Sequence, residues 1–253
     1  MSGTMVRRTC AALLSSVLFA VPAAAQTVLL QDDFDGLVEG VPYTTEFVNW
    51  NVVGRGVDVV ATGYAGLISC YGGTGLCVDL DGNAGSGPET GPRGLESKLM
   101  YSFAAGDIAR FEFAVSGNQR GTAFPNSLLD DLIVGFRFSN AVTLADVALE
   151  LVDFGISDPQ PGGSYDSSNP FALTLEDIPY IAPWSTLALR FRVLGATDIG
   201  VFLTTPSADD IGPLIDNVSF TRTSTTVPEP GTYVLMAAGL VALAVVGRRG
   251  RKA

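Results

Sequence analysis

Leu187-Ala188-Leu189-Arg190-Phe191-Arg192-Val193 decides the fold class. Large apolar side chains fall on every second residue, with Ala188, Arg190 and Arg192 between them. An extended chain therefore carries one apolar face and one wet face. Phe111, Phe113 and Val115 repeat the pattern against Arg110, Glu112 and Ser116. Leu132, Val134, Phe136 and Phe138 repeat it against Ile133, Gly135, Arg137 and Ser139. Further strands are predicted at residues 28–33, 57–61, 77–80, 95–103, 145–152, 171–175, 200–203 and 214–221. Clusters of Gly, Pro, Asn, Asp and Ser at 82–94 and 157–170 are turn chemistry. Away from the two ends no long segment has a helical period. Many short strands with turn-rich connections predict an all-β fold, an antiparallel β-sandwich of the jelly-roll kind.

The two ends differ from this pattern. Arg7 and Arg8 precede an apolar run at 11–21, and Ala23-Ala24-Ala25 follows. That is the order of a secretory signal peptide over residues 1–25, with cleavage expected after Ala25 by signal peptidase once the Sec translocon has engaged it. At the other end Val227-Pro228-Glu229-Pro230-Gly231 leads into an uncharged apolar stretch at 232–247, followed by Arg248, Arg249, Arg251 and Lys252. A helix of that length spans roughly 25 Å, short for a bilayer core but within reach of thinning and snorkelling basic residues. Basic residues stay on the cytoplasmic side, so the preceding domain is expected outside the inner membrane. The chain is thereby divided into a signal (1–25), a sandwich ectodomain (26–223) and a tail (224–253).

The Pro-Glu-Pro triplet, apolar segment and terminal basic cluster resemble the PEP-CTERM sorting signal of Gram-negative bacteria. The resemblance covers residues 227–253. It implies recognition by an exosortase, processing near the motif, and a final place on the cell surface or in an exopolysaccharide matrix. A looser resemblance, to carbohydrate-binding or galactose-binding-like jelly rolls, is carried by Val78-Asp79-Leu80-Asp81-Gly82, Gly117-Asn118-Gln119-Arg120-Gly121 and Gly212-Pro213-Leu214-Ile215-Asp216-Asn217-Val218.

About 200 residues lie between the ends, enough for one domain with a real core. Of 15 Lys and Arg, two lie in the signal and four in the tail, leaving nine. Of 26 Asp and Glu, Glu229 alone lies in the tail, leaving 25 and a net charge near −16. Such a domain repels nucleic acid and anionic surfaces. The chain has no histidine, which excludes Ser-His-Asp and Cys-His catalysis and histidine-ligated metals. Carboxylate-pair chemistry is not excluded, but no pair stands out among so many acids. Cys70 and Cys77, in an oxidising compartment, are expected to form a disulfide around the loop 71–76, whose glycines Gly72, Gly73 and Gly75 allow it to close.

Asp216 shares strand parity with Leu214, Val218 and Phe220, and so is predicted to face the core. A lone buried carboxylate needs a partner. One reading is a structural Ca²⁺ held by Asp35 and Asp216 with Asp33, near the meeting of first and last strands that the looser resemblance implies. The other is a buried contact to an arginine or the backbone. Asp79 and Asp81 read as a strand end and Asx-turn, or as cation or sugar ligands. Asn118, Gln119 and Arg120 carry planar donors suited to sugar hydroxyls, or form a turn in which Arg120 pairs with an acid. Trp50, Trp184, Tyr64, Tyr71 and Tyr165 are candidates for a sugar-stacking platform or for the core. The expected function is that of a non-catalytic surface or matrix protein that binds polysaccharide. The alternatives are a purely structural or adhesive component, or a carbohydrate-active enzyme.

Overall fold

The computed structural model describes residues 25–40, 42–43, 46–82, 91–120, 129–138, 149–156, 162–165, 172–206, 211–224 and 239–240. The strands are β1 (Ala25–Asp32), β2 (Pro42–Tyr43), β3 (Glu46–Phe47), β4 (Trp50–Val53), β5 (Val57–Ala61), β6 (Leu76–Asp79), β7 (Arg93–Ser97) and β8 (Tyr101–Phe103). They continue as β9 (Ile108–Ser116), β10 (Leu129–Phe138), β11 (Leu149–Ile156), β12 (Gly162–Tyr165), β13 (Ala172–Pro179), β14 (Ser185–Val193), β15 (Thr197–Thr205) and β16 (Leu214–Ser224). The protein is all-β. Two eight-stranded sheets run in the orders β11-β14-β9-β16-β6-β5-β2 and β12-β13-β10-β15-β7-β4-β3. β1 joins the first sheet against β16, and β8 joins the second against β15.

The alternating segments supply the centre of both sheets. Phe111, Phe113, Val115, Leu187, Leu189, Phe191 and Val193 from the first sheet meet Leu132, Val134 and Phe136 from the second in one core. Phe136 sits at its middle, with its ring centroid 4.9 Å from Phe191, 6.0 Å from Phe220 and 6.2 Å from Phe111. Aromatic side chains contribute a large buried area and pack edge-to-face at such distances. Trp50, a stacking candidate from sequence, is instead core: it is fully buried beside Phe34 and donates its indole N–H to Asp32 Oδ2 at 2.9 Å.

The single strand expected over 95–103 is two strands, β7 and β8. The Ser97 hydroxyl donates to the Leu99 carbonyl at 3.0 Å and accepts from the Val201 N–H at 3.0 Å. The side chain thus replaces a ladder bond and turns the chain, competing with the sheet as short hydroxyl residues do. The strand pieces at 42–53 lacked a readable period and were not predicted. Residues 1–24 and most of 225–253 lie outside the described residues, so the expected signal and tail helices do too. Only Gly239 and Leu240 of the tail are described, and they are helical. Among the described residues no helix is long and apolar enough to cross a membrane.

Phe136→Ala should cost about 3–5 kcal/mol and lower the melting temperature by roughly 10 °C. Leu129→Ala, at a position 56 % exposed, should stay within about 0.5 kcal/mol. Thermal melts of the two variants check the assignment of the core.

Candidate functional site

β16 changes partner along its length. Leu214 and Ile215 pair with β6, whereas residues from Val218 onward pair with β1. At the junction the register against β9 shifts between Asp216 and Ser219, and Asn217 has φ of 49°. This β-bulge changes the parity of the strand. Ile215, Val218 and Phe220 all enter the main core, while Leu214 enters a second cluster with Val60, Ile68, Cys70 and Cys77. Asp216 therefore lies on the outer face of the first sheet with Leu214, not on the core face with Val218 and Phe220. The alternation argument failed because one residue was inserted in the period.

A segment from residue 62 to 75 covers that outer face. Cys70 and Cys77 are joined by a disulfide with Cα atoms 5.5 Å apart, tying the segment to β6. The loop between them donates a backbone N–H near each end. Tyr71 N–H reaches Asp216 Oδ2 at 3.1 Å, and Leu76 N–H reaches Asp35 Oδ1 at 2.7 Å. Gly75 has φ of 75°, and a Cβ there would collide with Asp35 Oδ1. Asp35 is itself placed by an Asx-turn in which its N–H donates to Asp33 Oδ1 at 3.2 Å.

Asp216 is buried and also accepts the Asn217 N–H at 2.6 Å. Burial pushes its carboxyl up to about 7; the two N–H donors pull it back, and the carboxylates of Asp35 and Asp33 push it further up. Thus the carboxylates of Asp33 and Asp35 act electrostatically on Asp216. For calcium the fit is partial. Asp35 and Asp216 already accept backbone N–H groups. Among the described residues, moreover, no group of three or more His, Cys, Asp or Glu is arranged to hold a metal ion. The contact seen directly is the backbone one.

An aromatic corner stands on the same loop. The Tyr71 and Trp184 rings meet edge-to-face at 74°, with centroids 5.9 Å apart. Trp184 Nε1 donates to the Ser69 carbonyl at 2.6 Å, and the Tyr71 hydroxyl lies 3.4 Å from Thr186 Oγ1. Tyr71 is 39 % exposed, and Tyr64 and Leu67 are exposed nearby in the chain. Tyr165's side chain lies outside what is described.

Asn118, Gln119 and Arg120 serve the protein itself. Asn118 Nδ2 donates to Asp130 Oδ2 at 2.9 Å, and its Oδ1 accepts the Arg120 N–H at 2.9 Å. Gln119 Oε1 accepts the Ser69 N–H at 2.8 Å, and its Nε2 donates to the Ser69 carbonyl at 3.0 Å. One amide side chain thereby pairs with a backbone as a strand would. Arg120 Nη1 lies 2.7 Å from Asp79 Oδ2, an ion pair off the hydrogen-bonding direction. Asp79 Oδ1 accepts the Asp81 N–H at 3.0 Å, closing the predicted Asx-turn, and the Gly212 N–H at 2.8 Å. Burial drives the Asp79 carboxyl up to about 7 against the pull of Arg120 and both N–H groups, with Asp58 adding to the rise. Asp81 forms a buried ion pair with Arg93. Ser69 and Thr186, which organise the aromatic corner, gave no signal in the sequence because an isolated hydroxyl residue in a turn or strand is commonplace.

The family model of the PEP-CTERM protein-sorting motif matches residues 226–252, directly after β16. The motif indicates an exported protein sorted by an exosortase, made as a membrane-anchored precursor that is processed and released. No curated protein matches the chain. Among solved structures, the Stig cyclase Fisc from Fischerella sp. TAU is similar at 15 % identity and a TM-score of 0.41, over 78 % of this chain and 88 % of that one. A cleaved adhesin domain of Lys-gingipain from Porphyromonas gingivalis is similar at 14 % identity and a TM-score of 0.32, over 78 % and 99 %.

The raised carboxyls of Asp79 and Asp216 fix a pH dependence. A folded-state value above the unfolded one means that the folded protein holds the extra proton between about 4 and about 7. The contribution of each group to stability therefore falls as pH rises through that window. Asp216→Asn removes this titration but turns an amide NH2 toward one of the two backbone N–H donors, so it should melt lower than wild type at about pH 4. That deficit should shrink as pH rises from about 4 to about 8, where the wild-type carboxylate carries its charge. Melting curves across this range check it, and a deficit that does not change with pH would contradict it.

Proposed function

We propose that the chain is exosortase cargo: a non-catalytic cell-surface or extracellular-matrix domain of jelly-roll type that binds exopolysaccharide. The observation that carries the reading is the position of the sorting motif at 226–252, immediately after the last strand of the sandwich. The jelly-roll assignment is supported by connectivity. The steps β6 to β7, β9 to β10, β13 to β14 and β15 to β16 each cross from one sheet to the other. In this reading the signal is cut after Ala25, residues 232–247 hold the precursor in the inner membrane, and Arg248, Arg249, Arg251 and Lys252 stop it on the cytoplasmic side. A non-catalytic role is supported by the lack of histidine and by the engagement of the buried Asp79 with Arg120. Calcium is a secondary proposal, favoured by the burial of Asp216 near the carboxylates of Asp33 and Asp35.

The test is expression of the tagged full chain in an exosortase-bearing Gram-negative host. Wild type should lose its tail and reach the surface or medium. A variant with Pro228, Glu229 and Pro230 all changed to Ala should accumulate as the larger membrane-bound form. Equal export and shortening of both would overturn the sorting reading. A calcium titration of the released protein tests the secondary proposal, which fails if neither heat nor a shift in melting temperature appears.

A further inference from the structure

We propose that the Tyr71–Trp184 corner is a glycan subsite taking the pyranose units of an uncharged or amino-bearing polysaccharide. The inference rests on the polysaccharide-binding reading above and gives it a place and a ligand class.

Position comes first. Asp216, Ala114 and Thr186 form one row across β16, β9 and β14. Tyr71 bridges that row on the outer face, with its N–H on Asp216 and its hydroxyl beside Thr186. The tail leaves the domain at the other end of β16, after Ser224. At about 3.3 Å per residue, Asp216 stands roughly 26 Å from that exit. The corner thus lies toward the pole turned away from the membrane anchor, where a secreted polymer has access while the chain is still tethered.

Rigidity comes second. The corner is tied by the disulfide, by Trp184 on Ser69, by Gln119 on both backbone groups of Ser69, and by Tyr71 on Asp216. A surface aromatic held in one geometry before binding loses little entropy on contact. Trp184 is half-buried against the small apolar cluster of Val60, Ile68, Cys70, Cys77 and Leu214, and Tyr71 is the more open ring. Tyr71 is 39 % exposed, whereas the core Trp50 is fully buried.

Shape and charge select the ligand. Two rings at 74° make an L. The C–H face of a pyranose can lie on one ring while its edge meets the other, and its rim hydroxyls fall toward Thr186 and the neighbouring acids. Asp33, Asp35 and Asp216 lie beside the loop, and the domain carries a net charge near −16. Arg110, Arg190 and Arg192 share the outer face further along β9 and β14, but the charges beside the loop are the acids, which disfavour a uronate or sulfated chain there and not a neutral or amino sugar.

The two tryptophans provide the readout, because only Trp184 is accessible to a quencher. The tail-bearing full chain, in a detergent without a sugar headgroup, is titrated with neutral glucan and galactomannan, cationic chitosan and anionic alginate. Protection of fluorescence from acrylamide is followed. Wild type should be protected by neutral or cationic chains and not by alginate. Tyr71→Ala by this readout, and Trp184→Phe by calorimetric titration because it removes the reporter, should each lose affinity at least tenfold once a wild-type melting temperature is verified. If Trp184→Phe melts early, Tyr71→Ala alone decides. Wild-type affinity in folded variants would overturn the corner while leaving polysaccharide binding standing. Preference for alginate would overturn the ligand class. No binding to any of the four would overturn both this subsite and the polysaccharide-binding reading.

Discussion

The β-bulge at Asp216 and Asn217 is the constraint on which the rest of the functional surface depends. One strand, β16, must serve two surfaces. Before the bulge its outward residues, Leu214 and Asp216, hold the covering loop. After it, Val218 and Phe220 hold the main core. A non-glycine residue in the left-handed region costs of order 1 kcal/mol. Asn is among the residues that tolerate it best, and the Asn217 N–H is taken by the carboxylate of Asp216. The same inserted residue lets β16 exchange β6 for β1 as its neighbour, which brings the acidic end of β1 against the disulfide loop.

Two buried acidic systems follow from this arrangement, and they are solved differently. Asp79 and Asp81 sit at the end of β6, closed in with Arg120 and Arg93. Removal of one partner of such a pair leaves a buried charge, which costs about 3–5 kcal/mol. Asp216 has backbone N–H donors instead of a cation. Those donors belong to a disulfide-closed loop and to the strand itself, so the carboxylate is stabilised by geometry that the covalent link preserves. Asn118, Gln119 and Arg120, readable in sequence either as ligand donors or as a turn with Arg120 paired to an acid, are spent on internal structure. Tyr71 and Trp184, weaker as sequence signals, stand at the surface.

The cores of the central strands were legible because residues 110–116, 132–139 and 187–193 alternate with a period of two, whereas the strand ends, such as exposed Leu129 and buried Asp130, do not follow it. Asp216 was legible as a residue under constraint, but its face was not, since an insertion in the period leaves no mark on residue type. The Asx-turn at Asp79 could be read from local chemistry. The partners of Trp184 could not, because Ser69 is 115 residues away and is one serine among many. The tail was readable from order alone, as triplet, apolar run and basic end, and it is the part that the sorting-motif match supports.

The pairing of β1 with β16 puts the start of the domain beside its exit: Gln26 lies opposite Thr223. In the proposed processing both cuts therefore fall at one pole, within a few residues of the β1–β16 strand pair. The intact mass of the exported protein, measured without reduction, tests this account most directly. It predicts one species that begins at Gln26, ends within or close to residues 227–231, and is two hydrogens lighter for the Cys70–Cys77 bond. An exported species that retains residues 232–253, or carries both thiols free, would contradict it.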